Sequence, residues 1–110
     1  MERFVKGEVV IVPFPFSDLT QTKRRPALVI AELQGDDIIL CQITSQNTRD
    51  NDALVLTDSD FIQGSISQIS NIRPNRIFTA DQSIIQRKIG LIKREKIKAV
   101  IDKIIDILQK

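Results

Sequence analysis

Lys23-Arg24-Arg25-Pro26 sets three cations immediately before a proline, and Arg73-Pro74 repeats the Arg-Pro pair later in the chain. A proline ring clashes with the helical conformation of the residue before it, so Arg25 and Arg73 are pushed towards extended backbone. An arginine held in that way presents a planar fork of donors that matches the oxygens of a phosphate. Between the two pairs, Thr44-Ser45-Gln46 supplies two hydroxyls and a carboxamide, groups able to donate to a phosphate oxygen or read a base edge. Phe14 and Phe16 lie shortly before the cations, and single-stranded RNA is held by stacking splayed bases on such rings while cations follow the backbone. The chain contains no histidine, so any proton transfer must proceed without imidazole.

Each of these groups also has an ordinary structural reading. A three-residue basic run is commonly a solvated turn. Phe14 and Phe16 alternate as core residues of a strand would, and Thr44-Ser45-Gln46 is normal strand-ending chemistry. Ser65, Ser67, Gln68 and Ser70 carry the same ambiguity as Thr44-Ser45-Gln46, and Arg73 suits a structural salt bridge as well as a second phosphate contact. The acidic pairs Asp36-Asp37, Asp50/Asp52 and Asp58/Asp60 sit in polar, turn-like stretches and read as solvated loop carboxylates, so no metal site is expected. The single Cys41 excludes an intramolecular disulfide and a cysteine-based zinc site. Within the apolar run DIILCQIT it reads as a small buried hydrophobe.

The elements that must position these residues follow from the apolar pattern. Glu8 to Phe16 is rich in β-branched residues and opens after Gly7, which predicts a strand. Pro13 and Pro15 cannot donate to a ladder, so its far end must be an edge or leave the sheet. Ser17 to Lys23 reads as loop. Pro26 to Glu32 and Asp37 to Thr44 are two further strands, joined as a hairpin by the Gln34-Gly35-Asp36 turn. A polar loop from Ser45 to Asp52 precedes a short strand at Ala53 to Thr57. Gly64 to Gln68 and Asn71 to Thr79 are extended, the second interrupted by Pro74, and Ile84 to Ile92 fits a short strand or a helical turn. Ile97, Val100, Ile101, Ile104 and Leu108 follow helical spacing, which predicts an amphipathic helix from about Lys93 to Gln109. Its start is unusual, since Lys93 and Arg94 oppose the helix dipole and no Ser, Thr or Asp caps it. Short strands followed by one terminal helix imply a mainly β (α+β) fold, a small barrel covered by that helix.

The 110 residues are expected to form one domain, residues 1–110, around a single core. Apolar content of 42% with 27% charged residues fits a folded protein rather than a disordered one. The net charge of +2 is only weakly in favour of a nucleic-acid partner, because clustering counts more than the sum. No apolar run approaches the ~20 residues that cross a bilayer, and MERFVKGEVV has no signal-peptide core. A cytoplasmic location without membrane contact is expected.

Taken in order, GEVVIVPFPFSDL, RRPALVI, DIILCQITSQ and NIRPNRIFTADQSIIQRKIG, with the helix beyond, resemble the MazF/PemK family of toxin endoribonucleases. The PFPFSDL opening is closer to the PemK-like branch, and the resemblance spans nearly the whole chain. It implies a compact SH3-like β barrel with a C-terminal amphipathic helix, usually a homodimer. It implies a toxin that cleaves single-stranded RNA, often mRNA, without a metal or other cofactor, leaving a 2′,3′-cyclic phosphate and a 5′-hydroxyl. A cognate antitoxin protein is the implied neutralising partner, with DNA binding exercised by the toxin–antitoxin complex. Carried over by position, the family's catalytic Arg before Pro falls on Arg25, and its Thr at the end of the third strand falls on Thr44. Lys23, Arg24, Phe14, Phe16, Ser45, Gln46 and Arg73 are then the expected RNA contacts. Family members move protons with a His in the first loop, or with an Arg and an Asp on a later strand. This chain lacks the His and sets Gln68 and Ser70 at the Arg and Asp positions, so the general base and acid have no residue. Two alternatives share the fold: an RNA-binding barrel that has lost catalysis, and a protein-interaction module whose Lys23-Arg24-Arg25 turn binds an acidic peptide.

Overall fold

The computed structural model describes residues 3–15, 22–46 and 49–110. Its strands are β1 (Glu8–Pro15), β2 (Thr22–Glu32), β3 (Asp37–Thr44), β4 (Leu54–Leu56), β5 (Phe61–Gly64), β6 (Ser70–Asp81) and β7 (Arg87–Ile92). Single turns of 3-10 helix cover Asp58–Asp60 and Gln82–Ile84, and one helix, α1 (Arg94–Leu108), ends the chain. The strands make one antiparallel sheet in the order β4-β6-β3-β2-β1-β7-β5, curled into an open barrel. This is the mainly β fold with a C-terminal helix that the sequence pattern predicts.

The central strands are covered on both faces, which is why β2 and β3 read as nearly continuous apolar runs. On one face Leu28, Cys41, Ile43 and Ile72 pack with Val100 and Ile104 of α1. On the other, Val12, Ala27, Val29, Ile38 and Leu40 form a second cluster with Phe4 and Ile85. Burying an aliphatic side chain completely contributes about 1.5–3 kcal/mol relative to leaving it exposed. A one-residue slip would exchange the two faces of a strand, so these clusters fix the register.

The structure departs from the sequence pattern in three places. β2 begins at Thr22 rather than Pro26, so Lys23, Arg24 and Arg25 are strand residues and not a turn. Pairing with β1 (Phe14–Lys23, Pro13–Arg24, Val12–Arg25) overrides the weak strand preference of a basic run. The extended piece expected at Gly64 to Gln68 lies earlier, as β5, which stops at Gly64 with φ of 74°. β6 is continuous through Pro74, which marks a bulge. Cys41 of β3 pairs with Ile77 and Gln42 with Arg73, leaving Pro74, Asn75 and Arg76 extra on β6. Ile84 to Ile92 resolves into the end of a 3-10 turn followed by β7.

Other expectations hold. β7 covers β1 only as far as the Ile11–Arg87 pair, so Pro13 and Pro15 lie beyond that ladder, where a missing N–H costs nothing. Lys93, just before helix α1, gives it no side-chain cap, as expected. Among the described residues no helix is long and apolar enough to cross a membrane.

Candidate active site

The site is built by strand register. β2 and β3 pair at Leu28–Cys41 and Ala27–Gln42, and the ladder ends there. The next residue back on β2 is Pro26, which has no N–H to give. The same register carried two residues further sets Arg25 level with Thr44. On the other side of β3, Gln42 pairs with Arg73 and Thr44 with Asn71. Opposed residues of antiparallel strands project from one face. Cys41, Ile43 and Ile72 point to the cluster under α1, so Arg25, Gln42, Thr44, Asn71 and Arg73 share the opposite face, past the apolar cluster that holds Val12, Ala27 and Leu40. Strands lie about 4.8 Å apart, so β2 and β6 run on the order of 10 Å apart on either side of β3, with Arg73 level with Gln42, two residues along from Thr44.

Side-chain bonds lock this face. Thr44 is buried, and its Oγ1 accepts the Gln46 N–H at 3.2 Å, which fixes the hydroxyl oxygen and leaves its proton to be donated elsewhere. Asn71 Nδ2 donates to the Gln46 carbonyl at 3.4 Å. Arg25 is partly buried. Arg73 donates through Nε to Asp50 Oδ2 at 3.2 Å, and the Asp50 side chain is only 6% exposed. Asp50 also accepts the Asp52 N–H at 2.9 Å and a bond from the Asn75 side chain. Burial pushes the Asp50 carboxyl up. The bonds from Asp52, Arg73 and Asn75, with the Arg73 charge, outweigh that and hold its pKa below the usual carboxylate value.

The reading of Asp50 as a solvated loop carboxylate is therefore corrected. Its side chain is enclosed, with Arg73 just before the β6 bulge and Asn75 within it both bonded to it. Cys41 is wholly buried, and its thiol donates to the Arg73 carbonyl at 2.9 Å. Burial pushes that thiol up to about 12 against the smaller lowering effect of the bond to Arg73. Cys41 is thus a core residue that helps to fix the main chain at Arg73, not a nucleophile.

The expected site residues divide. Lys23 is exposed and, two residues before Arg25, alternates to the same face, whereas the exposed Arg24 alternates to the opposite one. Ser45 and Gln46 are exposed and directly follow Thr44. The Phe14 backbone pairs with Lys23, and Phe16 lies outside the described residues. Ser70 is buried, donates to the Gln68 carbonyl at 3.0 Å, and alternates with Ile72 to the helix side, away from Arg25. Gln42, Asn71, Asn75 and Asp50 join the site without any signal in their own neighbourhoods, because a bulge and a cross-strand register bring them in. Among the described residues no three His, Cys, Asp or Glu side chains converge as metal ligands would. What the face offers is two forked cations and a hydroxyl donor, an arrangement suited to an oxyanion on phosphorus.

Residues 5–108 match the family model of PemK-like, MazF-like toxins of type II toxin–antitoxin systems. Solved structures of the same fold include an endoribonuclease in complex with its cognate antitoxin from a mycobacterial species, at 11% identity and a TM-score of 0.75 over 96% of this chain and 94% of that one. The Mycobacterium tuberculosis toxin MazF-mt6 is similar at 16% identity and a TM-score of 0.67, covering 91% and 96%. A MazE–MazF complex from Deinococcus radiodurans is similar at 18% identity and a TM-score of 0.77, covering 99% and 98%. At such identities these structures establish the fold. No curated protein matches the chain in sequence.

Proposed function

Because the chain belongs to the PemK-like, MazF-like toxins of type II toxin–antitoxin systems, we propose that it is a metal-independent endoribonuclease acting on single-stranded RNA. The observation that carries this reading is the end of the β2–β3 ladder at Ala27–Gln42, from which the register, carried two residues further, sets Arg25 level with Thr44. A phosphodiester entering there meets a guanidinium fork from one strand and a hydroxyl donor from the next. When the 2′-hydroxyl attacks its own phosphate, charge accumulates on the phosphorane oxygens. Donors fixed before the reaction stabilise that charge more than the ground state. The P–O5′ bond then breaks, and the proton given up to solvent by the 2′-hydroxyl is matched by one taken from solvent at the 5′-oxygen, giving a 2′,3′-cyclic phosphate and a 5′-hydroxyl. Holding the attacking oxygen opposite the leaving one supplies further acceleration. A guanidinium carries five donors and no acceptor, so Arg25 serves as a donor and not as the base.

Lys23 and Arg73, on the same face, are proposed to hold flanking phosphates, and Ser45 and Gln46 to contact bases beyond Thr44. The cognate antitoxin seen with the mycobacterial endoribonuclease supports an antitoxin as this chain's partner as well. A homodimer and a cytoplasmic setting complete the proposal. Purified protein should cut single-stranded RNA in EDTA and leave cyclic phosphate ends, and Arg25→Ala should abolish cutting while the protein stays folded. Wild-type protein that leaves varied RNA intact would sink the reading. A second reading, an RNA-binding barrel without catalysis, is favoured by one observation: Ser70, at a family proton-transfer position, faces away from Arg25. It predicts salt-sensitive RNA binding with no cleavage.

A further inference from the structure

Asp50 is an acidic residue enclosed on a face otherwise suited to a polyanion, and that placement calls for a reason. A carboxylate with 6% of its side chain exposed must be paired and hydrogen-bonded to stay charged. Its partners are Arg73 and Asn75 on either side of Pro74 and the Asp52 N–H of its own loop. The grip on Arg73 is through Nε at 3.2 Å. A guanidinium has five N–H donors, and the four on its terminal nitrogens form the fork that takes phosphate oxygens. The main chain at Arg73 is fixed as well, by the Cys41 thiol on its carbonyl at 2.9 Å.

We propose that Asp50 is a positioning residue for RNA: it holds Arg73 by the Nε edge so that the terminal fork faces the phosphate next to the one that Arg25 and Thr44 act upon. The inference rests on the endoribonuclease reading and extends it to a loop carboxylate outside every motif. An arginine already aimed loses less side-chain freedom when RNA binds.

The sign of one substitution separates this role from simple electrostatics. Asp50→Asn removes a negative charge from a polyanion site, so charge alone predicts tighter RNA binding. Positioning predicts weaker binding. The experiment uses the full chain with a mixed-sequence single-stranded RNA for KM and kcat, and with its 2′-O-methyl counterpart, which cannot be cut, for Kd. Asp50→Asn is expected to raise KM and Kd about fivefold while kcat stays within about twofold. Arg73→Ala should do the same and lower the salt slope of binding by about 0.7. The double variant should be no worse than Arg73→Ala alone. Arg73→Lys, which keeps the charge and loses the fork, should bind as poorly as Arg73→Ala, and this holds the test open if Asp50→Asn does not fold.

Unchanged or tighter binding by folded Asp50→Asn, effects that multiply in the double variant, or full affinity in Arg73→Lys would each overturn the role. Wild-type protein that binds the 2′-O-methyl RNA yet never cuts RNA refutes the enzyme reading, and the Kd series then decides the role of Asp50 alone. Wild-type protein that neither binds nor cuts removes both.

Discussion

Thr44→Val is the sharpest test of the site, because the structure gives it a small effect on stability and the proposed mechanism gives it a large one on rate. The valine keeps the shape of the buried side chain and removes the hydroxyl. Among the described residues that oxygen accepts one bond, from the Gln46 N–H at 3.2 Å. Gln46 is exposed, so the freed N–H finds water. The stability loss therefore sits at the low end for a hydrogen bond, about 0.5–1 kcal/mol. If the Thr44 proton is donated to the phosphorane, its removal resembles loss of one oxyanion donor, about 10²–10³ in kcat or roughly 3–4 kcal/mol. The two magnitudes differ enough to keep unfolding from explaining the rate. Single-turnover cleavage of end-labelled RNA with enzyme in excess, run beside urea unfolding, measures both. Thr44→Ser should recover most of the rate. A valine variant within about threefold of wild type, or a serine variant as slow as valine, would refute the donor role of Thr44.

Three further outcomes follow from the same structure. The folded pKa of Asp50 lies below the unfolded value of about 3.9. Its contribution to stability is complete above that value and is lost as pH falls through the lower folded one. Urea unfolding between about pH 5 and pH 2 should show an acid limb that Asp50→Asn makes shallower, and an unchanged limb contradicts the pairing. Gly35 (φ 79°) and Gly64 (φ 74°) both hold left-handed backbone, but a Cβ at Gly35 meets open space, whereas at Gly64 it meets the Ile89 carbonyl and, at 2.6 Å, the Gly90 Cα. Gly35→Ala should cost about 1–2 kcal/mol and Gly64→Ala at least about 1 kcal/mol more, so equal losses in denaturant midpoint count against the close approach of β5 and β7. Cys41, buried and with its thiol pushed up to about 12, should ignore a thiol reagent such as Ellman's in the native protein and react fully in urea. Rapid native labelling would contradict the burial.

What the sequence made legible was whatever its own neighbours decide. DIILCQIT is β3 residue for residue, since both faces of that strand are apolar, and α1 follows from isoleucines at helical spacing. The prolines of β1 correctly announced where its second ladder stops. The basic run was misplaced as a turn, because its strand character comes from β1 across the sheet and not from Lys23, Arg24 or Arg25 themselves. Asp50 was illegible for the same kind of reason. Its partners Arg73 and Asn75 stand in β6, more than twenty residues further along the chain and next to the register shift at Pro74. Arg25 and Thr44 were singled out by family resemblance, whereas local chemistry alone read Arg25 as part of a solvated basic turn and Thr44 as an ordinary strand-end residue.

The ends of the two ladders have one more consequence. β1 beyond Ile11 has lost β7, and β2 before Ala27 has lost β3, so Val12–Pro15 and its partners from Thr22 to Arg25 form a two-stranded ribbon. Beyond Val12, which the second apolar cluster holds, such a ribbon is marginal by itself, whereas the sheet below it is clamped by apolar clusters on both faces. Opening the ribbon therefore requires much less free energy than unfolding the sheet, and hydrogen exchange would register the two as separate cooperative units. Arg25 sits on the border between them, opposite the fully buried Val12. A protein that captured the ribbon could thus dismantle the arginine–threonine row while the sheet stayed folded, and on its release the row would re-form at the speed of a hairpin closing rather than of a domain refolding.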